Sequence, residues 1–143
     1  MTLEWKKTFL TGLNWQDEQH RELFKRADRF VRAVDEHHAA LEALKLFAFL
    51  DEYIVEHLDA EEQAMTTHNY PAVIEHLAEH TAFIEDVARL KKQLAEQSAA
   101  DCSAALAALS KRVSDWFSHH IHSVDKELGE FIRKAEARTR AKA

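Results

Sequence analysis

Residues 57–83 read HLDAEEQAMTTHNYPAVIEHLAEHTAF. Within this stretch Thr66-Thr67-His68-Asn69-Tyr70-Pro71 is the clearest loop of the chain, and Pro71 suits the first turn of a following helix, where its missing N–H costs nothing. Before the loop, Phe47, Leu50, Ile54, His57, Glu61 and Met65 fall at spacings of three or four. After it, Val73, His76, His80, Phe83, Val87, Leu90 and Leu94 do the same. Such a stripe is one face of an amphipathic helix, so the spacing predicts helices over about 40–66 and 71–96 joined by a short turn.

The same period extends in both directions. Upstream, a helix over about 18–37 carries His20, Phe24, Ala27, Val31 and Val34, with Asp17 as its N-cap candidate and His37-His38-Ala39-Ala40 as its break. Downstream, Ser98-Ala99-Ala100-Asp101 interrupts the pattern. A fourth helix over about 101–128 then carries Leu106, Leu109, Val113, Trp116 or Phe117, His120 and Val124. Residues 1–16 hold Trp5, Phe9, Leu10, Leu13 and Trp15 around Gly12 without a clean period, and read as an extended arm packed on the helices. Gly129 reads as a break, leaving a tail over 130–143 with room for a short C-terminal helix near 130–138. The chain has two glycines and one proline, too few turn residues for anything but short connections. The expected fold is all-α: a single domain over 1–143, built as an antiparallel up-down four-helix bundle with an N-terminal arm.

Bulk properties exclude several functions. A net charge of −6 leaves no basic footprint for nucleic acid, and the weakly basic segment Arg133–Lys142 reads as a solvated tail. No apolar run approaches the length of a membrane span. The first residues, Met1-Thr2-Leu3-Glu4-Trp5-Lys6, show no signal peptide. The single cysteine, Cys102, cannot form an internal disulfide, and with no Cys or clear His near it in the sequence it reads poorly as a nucleophile. These features point to the cytoplasm and, with little apolar surface to spare, to a monomer. No glycine-rich phosphate loop is present.

Ten histidines beside one cysteine are the unusual feature. His20, His57, Glu61, His76, His80 and His120 occupy positions that the apolar stripes would otherwise fill. His57 and Glu61 are four apart, as are His76 and His80, which puts each pair on one helix face. A lone histidine on such a stripe is more often a hydrogen-bonded core residue, and one HxxxH pair arises often by chance. Inward-facing ligand types on all four helices are another matter. A buried carboxylate costs several kcal/mol unless its charge is compensated, and a metal cluster compensates it while partnering the imidazoles. His37 and His38, at the first turn, and His68, in the loop, read as surface residues. Helical geometry turns His119 and His122 off the core. His76-x-x-x-His80 lacks a glutamate directly after His76 and so is not the zinc-protease pattern, although zinc could enter such a site.

At this point the sequence resembles the hemerythrins, particularly their single-domain bacterial form. The resemblance rests on Asp17-Glu18-Gln19-His20; on His57-Leu58-Asp59-Ala60-Glu61-Glu62 with Met65, Tyr70-Pro71, His76, His80 and Phe83; and on Trp116-Phe117, His120-Ile121, Asp125-Lys126 and Leu128-Gly129. It implies a non-haem pair of iron ions joined by an oxo or hydroxo bridge. His76, His80 and His120 would hold one iron, His20 and His57 the other, and Glu61 and Asp125 would bridge both. Five imidazoles, two bridging carboxylates and the bridging oxygen leave one position open on the two-histidine side, as a binding site requires. The resemblance implies reversible O2 binding there.

Two details qualify this reading. His120 and Asp125 are five residues apart, about 140° around an ideal helix, so Asp125 turns inward only if a π-bulge distorts the chain between them. The family usually has an aliphatic residue just before the Asp17 position; here it is Gln16, which reads as a partly exposed arm residue, or as one that alters access to the pocket without removing a ligand.

The expected role is that of an O2 carrier or store, not an enzyme, with delivery to an oxygen-consuming enzyme as one use. A pocket walled by Leu23, Phe24, Ile54, Phe83, Trp116 and Phe117 would exclude water. Two alternatives stand beside it. One is an oxygen or redox sensor, which usually carries a signalling domain that these residues lack. The other is a diiron oxidase, peroxidase or nitric-oxide enzyme, which generally uses more carboxylates.

Overall fold

The computed structural model describes residues 3–36, 39–96 and 102–142. Among these the chain is all-helical, without a strand, and the helices pack as a bundle. A 3-10 turn at Lys7–Phe9 precedes α1 (Asn14–Asp35), α2 (Ala39–Tyr53), α3 (Asp59–Thr67), α4 (Val73–Glu96), α5 (Cys102–Asp115) and α6 (Lys126–Ala141). A π segment, Ile54–Leu58, joins α2 to α3, and a longer one, Trp116–Asp125, joins α5 to α6. The six helices therefore make four continuous rods. The first rod packs on the second and fourth, and the third on the second and fourth.

Two apolar clusters lie along these rods. The larger holds Leu23, Ala27, Phe30, Leu46, Phe47, Leu50, Phe83, Leu90, Leu109, Val113 and Phe117 among others. The smaller holds Leu13, Met65, Tyr70, Leu128 and Ile132. Along the first and third rods the chain passes from the smaller cluster to the larger, and along the second and fourth from the larger to the smaller. Between the clusters every rod crosses a layer of buried polar side chains.

Several expected boundaries differ, for identifiable reasons. The first helix begins at Asn14, not 18, and Asp17 does not cap it. The Asp17 carboxylate lies in the first turn and accepts the Thr11 N–H at 2.8 Å, the Thr11 hydroxyl at 2.9 Å and the Gly12 N–H at 3.1 Å. It pins the arm to the bundle. Gly12 takes a left-handed φ of 91°, where a side chain would be strained. The third helix begins at Val73, two residues beyond Pro71. His37, His38 and the 98–101 break lie outside the described residues.

Gly129 does not end the fourth rod. Helix α6 continues through it to Ala141, and the expected break followed by a short helix near 130–138 is corrected accordingly. A Cβ at 129 would lie 2.7 Å from Thr11 Cβ and 3.2 Å from the Thr11 carbonyl oxygen. The glycine lets the arm approach the helix; helix propensity alone makes glycine costly, by about 1 kcal/mol, but does not terminate a helix packed on both flanks.

Candidate metal centre

The polar layer contains His20 from α1, His57 from the first π segment, Glu61 from α3, His76 and His80 from α4, and His120 and Asp125 from the second π segment. All seven are buried, none more than 2% exposed. One ligand atom from each of Glu61, His76, His80, His120 and Asp125 falls within 4.8 Å of the others, and so do those of His20, His57, Glu61 and Asp125. The two groups share both carboxylates.

The π segment between Trp116 and Asp125 is the distortion that the five-residue spacing demands. A π turn repeats near i+5, so His120 and Asp125 both face inward, and Asp125 has no exposed surface. The π segment ahead of Glu61 had no counterpart in the sequence reading.

Each carboxylate presents one oxygen to each group. Glu61 Oε1 lies 3.1 Å from His80 Nε2 and 3.4 Å from His76 Nε2, while Oε2 lies 3.3 Å from His57 Nε2. Asp125 Oδ1 lies 2.9 Å from His120 Nε2 and 3.2 Å from His76 Nε2, while Oδ2 lies 2.9 Å from His20 Nε2. Despite these short approaches, Nε2 of His20, His57 and His120 and both Asp125 oxygens make no aligned hydrogen bond. Buried polar atoms ordinarily find aligned partners. Lone pairs that converge on shared points, instead of on one another's protons, fit metal ions, and the donor set of imidazole and carboxylate fits iron or zinc.

Outer contacts orient the rings. His57 Nδ1 donates to Gln19 Oε1, His80 Nδ1 to Glu62 Oε1 at 3.2 Å, and His120 Nδ1 to Glu79 Oε1 at 3.0 Å. A proton kept on Nδ1 leaves Nε2 bare and aimed inward. Trp116 stacks on the His120 ring at 3.7 Å and packs on Phe83 at 4.1 Å. Tyr53 stacks on His57 at 4.6 Å and accepts a hydrogen bond from Trp116 Nε1 at 3.4 Å. Of the expected wall residues, Leu23, Phe83, Trp116 and Phe117 are buried, whereas Phe24 and Ile54 are half-buried.

Charge in the layer is self-compensating. Burial alone would raise the Glu61 carboxyl, but the charge and close approach of His57 and the hydrogen bonds of His76 and His80 hold it well below the usual carboxylate range. Burial and the nearby Glu61 charge would likewise raise Asp125, yet His120 and His20 hold it low. Burial would lower His76, but the close approach and charge of Asp125, with the hydrogen bond to Glu61 and its charge, push it up to about 10. Without an ion, imidazole protons neutralise the carboxylates; a bound cation would take their place.

Gln16 stood out in the sequence, but Gln19, Glu62, Glu79 and Tyr53 did not stand out as contacts of the centre. Gln16, expected as a partly exposed arm residue, has no exposed surface and donates to Glu61 Oε2 at 2.6 Å. Gln16, Gln19, Glu62 and Glu79 meet the centre across rods, where no spacing along one helix signals the contact, whereas Tyr53 stacks on His57 four residues on in its own rod. Of the other histidines, His119 is exposed beside Glu79, His122 lies 3.3 Å from the Thr8 carbonyl, and His68 is half-buried in its turn.

Comparison with known proteins agrees with this geometry. The family model described as the hemerythrin HHE cation binding domain matches residues 11–132. A hemerythrin-like protein of Naegleria gruberi is 32% identical over 87 residues, covering 61% of this chain and 67% of the relative. One from Naegleria fowleri gives the same values. With the matched region enclosing the arm lock, both π segments and all seven inward side chains, the chain belongs to the hemerythrin HHE cation-binding family.

Proposed function

We propose that this protein binds O2 reversibly at a pair of non-haem irons and serves as a carrier, store or local supplier of oxygen, not as an enzyme. The observation that carries the reading is the pair of overlapping ligand groups, one with three histidines and one with two, sharing Glu61 and Asp125. An iron pair joined by an oxo or hydroxo bridge would supply the electrons and the open coordination position for O2. The chain's own contribution is asymmetry and dryness. His76, His80 and His120 crowd one side, while His20 and His57 leave the other with one imidazole fewer. Leu23, Trp116 and Phe117 exclude water, which slows the proton delivery that irreversible oxidation needs. Five neutral imidazoles against two carboxylates favour the reduced metal, and Nδ1 contacts to Gln19, Glu62 and Glu79 hold the rings fixed. The alternating order of the two apolar clusters along the rods supports an antiparallel up-down bundle.

The test is an absorption spectrum of the reduced, iron-loaded protein before oxygen, after oxygen and after degassing, with iron counted per chain. A charge-transfer band that appears with O2 and vanishes on degassing is expected. A band that decays promptly to an oxidised form would replace the carrier reading with a redox sensor or oxidase. No band in protein holding two irons would mean that the position beside His20 and His57 is closed.

A further inference from the structure

Gln16 lies one turn before His20 on α1, so the helix itself aims both side chains at the same layer. Its Nε2 donates to Glu61 Oε2 at 2.6 Å and sits 3.5 Å from the Asp125 carbonyl oxygen. Oε2 is the oxygen that faces His57, whereas His76 and His80 face Oε1. The amide therefore meets the shared carboxylate at the oxygen on the two-histidine side. Its other end is poorly served: Gln16 Oε1 is buried without a hydrogen-bond partner and lies where a Cβ on residue 129 would approach to 3.1 Å. An unpaired buried carbonyl costs stability that an aliphatic side chain of similar size would not. What the amide contributes is consequently its donor contact to the shared carboxylate.

We propose that Gln16 is a positioning residue that tunes the two-histidine metal position through Glu61. Its N–H fixes Oε2 toward that position and takes up part of the oxygen's lone-pair density, so the carboxylate donates less charge to an ion bound there. The more highly charged form of the ion loses more from this, and the equilibrium shifts toward the reduced form. The inference rests on the two-metal reading above.

The experiment compares wild type with Gln16→Met and Gln16→Leu, which remove the donor at similar size. Iron per chain is counted first, the midpoint potential is then measured by spectroelectrochemical titration, and thermal unfolding is followed in parallel. Both variants should hold two irons, unfold at the same or a higher temperature, and favour the oxidised form about tenfold more, a fall of about 59 mV for a one-electron couple. A merely structural role would move the unfolding temperature and leave the potential unchanged, and that result overturns the inference while the two-metal reading stands. Wild type holding fewer than two metal ions overturns both. Should a variant fail to fold, NMR of the zinc-loaded wild type decides: a downfield-shifted, exchange-protected Gln16 side-chain amide is expected, and a freely exchanging one overturns the proposal.

Discussion

The polar layer and the larger apolar cluster are built by the same four rods, yet they obey different rules. Around Ala27, Phe30, Leu46, Leu90 and Leu109 the helices are regular and the buried contacts are chiefly apolar. Around Glu61, His120 and Asp125 two of the rods adopt π geometry, and buried atoms face one another without aligned hydrogen bonds. Apolar contacts are non-directional, so a regular helix satisfies them at many registers. Ligand convergence is directional, and the backbone distorts to achieve it. Stability is thus concentrated in one region and chemistry in its neighbour, the apolar cluster holding the rods rigid enough to keep the polar layer in register.

The strongest way to break that comparison is to damage the apolar cluster alone. Phe30→Ala should cost about 3–5 kcal/mol in urea unfolding, by lost burial and the cavity left behind. The loss should be the same with and without metal; a loss that disappears on metal loading would show that the regions do not act separately.

Next in size is the pH response of the metal-free protein, which tests the polar layer alone. Glu61 and Asp125 are held below their ordinary values, so their contribution is present above about pH 4.5 and is lost as pH falls through the depressed range. His76 is raised from 6.5 to about 10 and His120 is also raised, by Asp125 and Glu61 against the effect of burial. Their contribution is complete below about pH 6.5 and is lost as pH rises toward 10. Unfolding temperature in the metal-free protein should therefore peak between about pH 4.5 and 6.5. Metal-loaded protein should lose the alkaline decline, because the cation replaces the imidazole protons. The same alkaline slope in both forms would mean that the ion does not engage these rings.

Gly129→Ala sharpens the boundary between the smaller cluster and the arm. The added methyl would sit 2.7 Å from Thr11 Cβ, so overpacking of about 1–3 kcal/mol should outweigh the gain in helix propensity. Thermal unfolding decides it; a rise in stability would show that the arm yields freely. The smallest effect is expected for Tyr53→Phe, which deprives Trp116 Nε1 of its acceptor at about 1 kcal/mol while leaving the stack on His57 intact. Equilibrium unfolding should show a small loss and iron content none.

Much of this was legible along the chain. Helical periodicity depends on residues three and four apart, so the four rods could be read from Phe47 to Met65 and from Val73 to Leu94 without knowing what they touch. The inward set could be read from polar residues standing where apolar ones belong, and the π distortion from the five-residue gap between His120 and Asp125. Those are local facts, set by the rise and turn of one helix. Only the tertiary structure decided that Gln16 is buried against Glu61, that Asp17 holds the arm instead of capping α1, that Gly129 admits the arm instead of ending a helix, and that Gln19, Glu62 and Glu79 orient rings on other rods. All but the Asp17 lock depend on two segments far apart in sequence meeting at a particular register, and that lock depends on the irregular arm folding back on the first turn of α1; a polar residue or a glycine reads the same until the neighbour it meets in space is known.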